Sequence, residues 1–212
     1  MELIELFEMQ KKLDAEIELK HPVQPGENRI AKKLLALQTE LGELSNEQRS
    51  WKFWSTDQEP RTNRQMFKEC TTCDGLQYEP MFGQPCPDCE SQGSKYCGDK
   101  NPLLEEYVDC IHFVLSIGNE LKFKEYHLVG KYAGELHNTV DMFLFVNEQI
   151  ALLSKTYRYR GDTGPVALTV YYSMLLEAFL LLGEALGFTW EQIAEAYLAK
   201  NKTNWERQKN AY

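Results

Sequence analysis

Residues Ala36–Ser55 read ALQTELGELSNEQRSWKFWS, and their spacing points to a helical fold. Glu40, Glu43 and Glu47 recur at intervals of three and four. On an α-helix those intervals put three carboxylates on one face, within about one-sixth of a turn of each other. Leu34, Leu37, Leu41 and Leu44 fall on an adjoining stripe, so the acidic row borders a core instead of lying opposite it. Like charges stacked this way repel by ~0.2–0.5 kcal/mol per pair. A divalent cation between them would relieve the repulsion. A solvated acidic face is the commoner fate of such a row taken alone, so the rest of the chain has to decide.

The 212-residue chain is 43% hydrophobic and 12% aromatic. That is enough for one generous domain, or one domain with a small inserted module. A formal net charge of −9 argues against nucleic-acid or anionic-membrane binding through a basic surface. An anionic substrate would need metal ions, or a few well-placed Lys and Arg, to bridge the repulsion. Residues 1–20 mix acidic, basic and apolar positions and carry no signal-peptide pattern. The longest apolar run, Ala178–Leu182, is too short to span a bilayer. Six cysteines, four of them in CxxC pairs, suit a metal site in a reducing compartment better than a disulfide scaffold. The expectation is a soluble, cytoplasmic protein without a membrane partner.

Working outward, residues 2–20 show a helical period through Leu3, Leu6, Phe7, Leu13 and Ile17. Gln10 and Asp14 point together on that helix. A break follows from His21-Pro22 to Pro25-Gly26. The acid-bearing helix is then expected from about Glu27 to Phe53, with Trp51, Phe53 and Trp54 packed around Lys52 at its end. Helix resumes after Asn101-Pro102, where Leu104, Tyr107, Val108, Ile111, Val114 and Leu115 form an apolar stripe. Glu106, Asp109 and Phe113 share another side of it, flanked by Glu105 and His112, so a second acid pair edges a core. A polar link over residues 122–132 leads to a helix at Gly134–Lys155, with Leu136, Val140, Phe143, Leu144, Ile150 and Leu153 as core candidates. Lys155, Arg158 and Arg160 supply local positive charge around a Gly/Pro-punctuated loop. Val166–Leu186 is apolar on most sides, which reads as the centre of a bundle or a subunit interface. Gly187 stops it, Thr189 caps a helix over Trp190–Lys200, and the polar tail to Lys209 is expected to fray. No strand pattern of convincing length and no repeat occurs.

Residues 56–102 differ in character, being rich in Gly, Pro, Cys, Thr, Asp and Gln with few aliphatics. Such a stretch needs a staple to fold. Cys70-Thr-Thr-Cys73 and Cys86-Pro-Asp-Cys89 supply one: two CxxC turns close a tetrahedral Cys₄ site for zinc, or iron in its place, of the ribbon or knuckle type. Gly75 after the first pair and Gly83 before the second suit tight turns. Four thiolates leave no open coordination position, so this site is structural. Cys97 is the spare, and Cys110 reads as a buried small hydrophobe. The chain thus divides into residues 1–55 with 103–212, and an inserted module at 56–102.

Two acid-bearing helices packed antiparallel would bring their carboxylates into one groove. Hard oxygen ligands select Mg²⁺ or Mn²⁺, and such ions neutralise phosphates and lower the pKa of an attacking water. Phosphoanhydride hydrolysis follows naturally, and the sequence holds no Gly-rich phosphate loop.

The segments TELGELSNEQRSWKFWS, LEEYVDCIHFVLSIG and LGFTWEQIAEAYLAKNKTNWERQ closely resemble the dimeric all-α dUTPases of bacteria and phages. These are members of the MazG-like nucleoside triphosphate pyrophosphohydrolase superfamily. The resemblance covers about residues 3–55, 103–121 and 166–212, and leaves out the cysteine insert. It implies an all-α helical bundle of the NTP pyrophosphatase type, a homodimer, and Mg²⁺-dependent hydrolysis of dUTP and dUDP to dUMP, with pyrophosphate released from dUTP. By resemblance, Glu40, Glu43, Glu106 and Asp109 are the Mg²⁺ ligands, with one of the first pair, Glu40 before Glu43, orienting or deprotonating the water, and Glu47 either a more distant acid or an auxiliary ligand. Uracil and deoxyribose would be read by Gln10, by Trp51 or Trp54, by His112 with Phe113, and by Asn201 with Asn204. Lys52, Lys200 and Arg207 would face phosphate. Asp14 stands where many members carry a different amide or acid. The insert departs from the pattern; it could stabilise a long connection, cover the active site, contact a second subunit or dock a partner. Its acids and bases nearly balance, which disfavours nucleic acid. Two other readings stay open: the same chemistry on dCTP or other non-standard dNTPs, and a non-catalytic zinc-ribbon adaptor whose acids are surface residues.

Overall fold

A computed structural model of the chain describes residues 1–78, 83–123, 138–159 and 164–210. Leu136, the link beyond residue 123, the start proposed at Gly134, and Arg160 with Gly161 lie outside the described residues. Among those described, the order is α1 (Leu3–Lys20), α2 (Arg29–Gln48), β1 (Arg64–Glu69), β2 (Ser94–Lys100), α3 (Pro102–Glu120), α4 (Thr139–Arg158), α5 (Gly164–Ala185) and α6 (Trp190–Lys209). The chain divides into two compact units, residues 1–60 with 103–212, and Arg61–Pro102.

In the first unit the helices share one core. Leu34, Leu37, Leu41 and Leu44 of α2 are buried, as their period requires, with Tyr107, Val108, Ile111, Val114 and Leu115 of α3. Helix α1 packs on α6, and α4 on α5 and α2. Asn28 caps α2 by accepting from the Ala31 N–H, and Thr189 with Gln192 forms a capping box on α6.

Helices α3 and α5 lock together by a reciprocal device. Tyr107 of α3 lies against Gly183 of α5, where a Cβ would come within 2.5 Å of its hydroxyl, and that hydroxyl donates to Phe179 O at 3.0 Å. Tyr172 of α5 lies against Gly118 of α3, where a Cβ would come within 2.2 Å of the hydroxyl, and it donates to Val114 O at 3.0 Å. Each glycine clears a notch, and each tyrosine satisfies its buried hydroxyl on the turn before that notch.

Several expectations change. Helix α2 stops at Gln48 and not at Phe53, because Arg49 takes a left-handed conformation (φ 67°) as its C-cap. The guanidinium anchors that turn through Asp57, at 3.0 Å to its carbonyl and 2.8 Å to its carboxylate. The tail does not fray: α6 runs unbroken to Lys209. Leu144 is exposed rather than core. Helix α5 over Val166–Ala185 is long and apolar enough by composition to cross a membrane, with 44% of that window buried. The short run Ala178–Leu182 therefore understated its length. Its Tyr172, Leu175, Ala178, Phe179 and Leu182 are core residues, whereas Val166 and Val170 are exposed, so it is not buried all round.

The second unit corrects the expectation of no strands. β1 and β2 pair antiparallel with a bulge between Met66 and Phe67. Their side chains are largely exposed, so no apolar alternation marked them. The pairing continues into the cysteine turns, where Cys70 N donates to Gly93 O at 2.9 Å.

Candidate active site

In the helical unit α1, α2, α3 and α6 enclose a cavity of about 640 Å³. Its lining includes Gln10, Glu40, Asp109, His112, Phe113, Lys200, Asn204 and Arg207, eight of the residues expected to work together. At one end Glu40, Glu106 and Asp109 converge, each offering a carboxylate oxygen within 4.8 Å of the others. All three are half-buried. Burial, then Asp109 and Glu43, raises the Glu40 pKa. Burial, then the charges of Asp109, Glu43 and Glu40, raises Glu106 to about 7. Burial also raises Asp109, although Lys200 pulls it down: Lys200 Nζ donates to Asp109 Oδ2 at 2.6 Å. Crowded carboxylates that resist ionisation want a cation among them, and an all-oxygen donor set fits a hard divalent ion. Glu43, one turn from Glu40, is exposed and outside the converging trio, though its charge reaches both Glu40 and Glu106.

The middle of the cavity is a polar network. Gln10 is buried and donates from Nε2 to Asp14 Oδ1 at 2.8 Å. Ser116 Oγ donates to Asp14 Oδ2 at 2.7 Å. Gln10 Oε1 lies 2.7 Å from His112 Nδ1 and accepts from Tyr197 Oη at 3.0 Å. The His112 and Tyr197 rings stack at 4.3 Å and 19°. Among the described residues, His112 Nε2 and Asn201 Nδ2 are buried without a hydrogen-bond partner. Asn201 lies beside the lining and is not part of it. The lining also holds Lys11, Arg29, Lys32 and Lys33 together with Glu18 and Glu120; Lys33 pairs with Glu120 at 2.9 Å, and Arg29 and Lys32 pair with Glu27.

The aromatic segment departs from expectation. Trp51, Lys52 and Trp54 are absent from the described lining. Trp51 Nε1 donates to Ser45 O at 2.8 Å, Lys52 bonds Asn46 and lies 5.3 Å from the Trp51 ring, and Trp54 meets Trp51 edge-on. Sequence reasoning also passed over Ser116, Tyr197, Arg29, Lys32 and Lys33. For some of them the spacing held a signal: Arg29, Lys33, Ala36 and Glu40 recur at three and four residues, and Asp109, His112, Phe113 and Ser116 fall at i, i+3, i+4 and i+7 of one helix.

In the second unit Cys70, Cys73, Cys86 and Cys89 are buried with their sulfurs clustered. Sγ–Sγ distances are 3.9 Å for Cys70–Cys86 and 3.7 Å for Cys73–Cys89. A tetrahedron of ~2.3 Å metal–sulfur bonds has edges of about 3.8 Å, so the spacing fits zinc. Positive φ recurs at the first, second and fourth residues after each second cysteine: Asp74, Gly75 and Gln77, then Glu90, Ser91 and Gly93. Gly83, ahead of the second pair, also takes a positive φ of 61°, as expected, and Gly93 adds a second glycine after it. A Cβ on Gly93 would come within 2.7 Å of Gly75 O. Cys97 is exposed and Cys110 buried, as expected.

A family model described as dUTPase matches residues 2–78 and 93–212. The chain belongs to the all-α dUTPase family. Its activity is that of a dUTP pyrophosphatase, and the adaptor reading falls away. The match runs further than the resemblance did: it takes in both strands and the first cysteine pair of this dUTPase, and leaves out residues 79–92 with Cys86 and Cys89. No curated protein matches the chain.

Proposed function

We propose that Glu40, Glu106 and Asp109, with Glu43 at their edge, hold Mg²⁺ or Mn²⁺ against the phosphates of dUTP, and that the adjoining cavity takes the nucleoside. The observation that carries this reading is the convergence of three carboxylates from two helices at one end of a cavity otherwise lined by polar and aromatic groups. When bound, the ion supplies charge neutralisation at the phosphates and acidifies water. Glu40 lines the cavity, so it orients the attacking water and takes its proton. Lys200 and Arg207 on α6 offer positive charge to the phosphates, while Phe113 gives the sugar an apolar wall. dUTP is cut to dUMP and pyrophosphate, and dUDP serves the same site.

The Cys₄ cluster holds Zn²⁺ as a structural ion in the module around residues 56–102. Exposed Leu144, Val166 and Val170 on α4 and α5 support a homodimer, since apolar side chains on adjoining helices invite a partner face. Unpaired buried thiols support a cytoplasmic location. Hydrolysis of dUTP in ¹⁸O-labelled water, followed by ³¹P detection, tests the chemistry and identifies the phosphorus attacked. Equal pyrophosphate release from dCTP and dUTP would replace uracil specificity with a broader dNTP activity.

A further inference from the structure

The converging acids already have a cation of the chain's own among them. Glu40 comes from α2, Glu106 and Asp109 from α3, and a third helix, α6, brings Lys200 to the same place. Lys200 Nζ donates to Asp109 Oδ2 at 2.6 Å, with both side chains largely buried. Its charge also pulls down the Glu40 and Glu106 carboxyls, so the ammonium stands in the field of all three acids. Arg207, two turns further along α6, acts on Asp109 by charge, whereas Lys200 acts by hydrogen bond and charge together. A lysine ammonium is a compact point charge on a flexible four-carbon stem, suited to leaving one anion for another nearby. Lys200 also lines the cavity, so a second anion can reach it there. One ammonium answers only one of three carboxylates. A divalent cation is still wanted, and it must contend with Lys200 for Asp109, because two cations crowded onto one buried carboxylate repel.

We propose that Lys200 is a resident counter-cation that competes with the divalent ion for Asp109, and that the phosphates of the nucleotide draw it off, so that each ligand strengthens the binding of the other. This rests on the three acids being the metal site. Lys200 then serves two anions in turn, Asp109 in the free enzyme and a phosphate in the complex, and is never left without a partner. The coupling runs both ways: what the nucleotide does for metal affinity, the metal does for nucleotide affinity.

The test titrates the full chain with Mn²⁺, followed by electron paramagnetic resonance, first without nucleotide. Lys200→Met keeps the stem and removes the ammonium, and it should tighten Mn²⁺ binding roughly tenfold, with circular dichroism reporting an intact fold. Lys200→Gln gives the same reading should the Met variant fail to fold. Lys200→Arg keeps a cation and should bind Mn²⁺ as the wild type does. Arg207→Gln should change the affinity much less than Lys200→Met. With α,β-imido-dUTP present, the advantage of Lys200→Met should largely vanish, since the wild-type ammonium has then left Asp109. Unchanged or weaker Mn²⁺ binding by a folded Lys200→Met overturns the proposal, because the ammonium then stays on Asp109 beside the ion. Equal tightening in Arg207→Gln also overturns it, by giving the effect to the general field of α6. An advantage that persists undiminished with α,β-imido-dUTP shows that phosphate does not draw Lys200 off, and overturns the coupling. Glu106→Gln separates this inference from the reading beneath it. If that variant loses Mn²⁺ while Lys200→Met is unchanged, the metal site stands and only the role of Lys200 fails. If a folded Glu106→Gln binds Mn²⁺ as before, the metal-site reading itself fails.

Discussion

At Glu106 the surroundings oppose ionisation, and the consequence can be measured. Its carboxyl is raised from 4.5 to about 7, so between those values the folded, metal-free chain keeps a proton that the unfolded chain has lost. The contribution of Glu106 to the stability of the metal-free protein should therefore fall as pH rises from about 4.5 to 7. Glu106→Gln should remove that contribution and raise the thermal midpoint at pH 8, measured in chelator. His112 works with the opposite sign, held near 3 against 6.5, so the difference between wild type and variant is the informative quantity. Metal binding must expel the Glu106 proton, and affinity should climb with pH up to about 7. Glu40→Gln and Asp109→Asn should each lower kcat by ~10²–10⁴-fold with the fold retained on thermal unfolding, because each relieves like-charge crowding. At this scale spacing showed the acids of α2 and α3 edging a core, and their role as ligands came from the resemblance. The Gln10–His112 and Asp14–Ser116 bonds were not legible, since each joins helices 102 positions apart and no local period encodes such a pairing.

Among elements, the helices were legible where an apolar stripe continued, and their ends were misread where a single backbone state decided. Arg49 ends α2 in a left-handed turn stabilised by its own side chain, a device that composition does not announce. Helix α6 outlasts its apolar period because its polar side chains have work inside the unit: Lys200 pairs with Asp109 and Asn201 is buried. Thr189→Ala should remove the cap of α6 and cost about 1 kcal/mol, visible as a lower thermal midpoint together with a raised KM for dUTP. In the small unit the cysteine spacing was legible and the ribbon was not, because β1 and β2 are held by the knuckle turns at their ends and bury little. Gly93→Ala forces a Cβ toward Gly75 O at a positive φ and should cost ~1–3 kcal/mol, read as faster zinc release to a chelator. Cys73→Ser should lose the zinc altogether while Mg²⁺ binding persists, as metal analysis would record.

For the whole molecule, the two candidate metal centres differ in every chemical respect, with four thiolates in one compact unit and carboxylates in the other. Dialysis against a weak chelator should abolish dUTP turnover without unfolding, and Mg²⁺ should restore it. A thiol-displacing mercurial should release one zinc per chain and change the circular dichroism of the ribbon. The helical architecture could be foreseen because amphipathic period and capping are local, whereas the docking of α3 on α5 depends on tyrosine–glycine matches that only packing reveals. That match has a further consequence. On each helix the tyrosine precedes the glycine by eleven residues, close to three full turns, so the pair relates α3 and α5 by a local dyad. Sliding either helix by one turn would unseat both tyrosines at once. Tyr107 stands next to Glu106 and two residues before Asp109, which makes α5 the ruler for the acidic end of the cavity although it contributes no described residue to the lining.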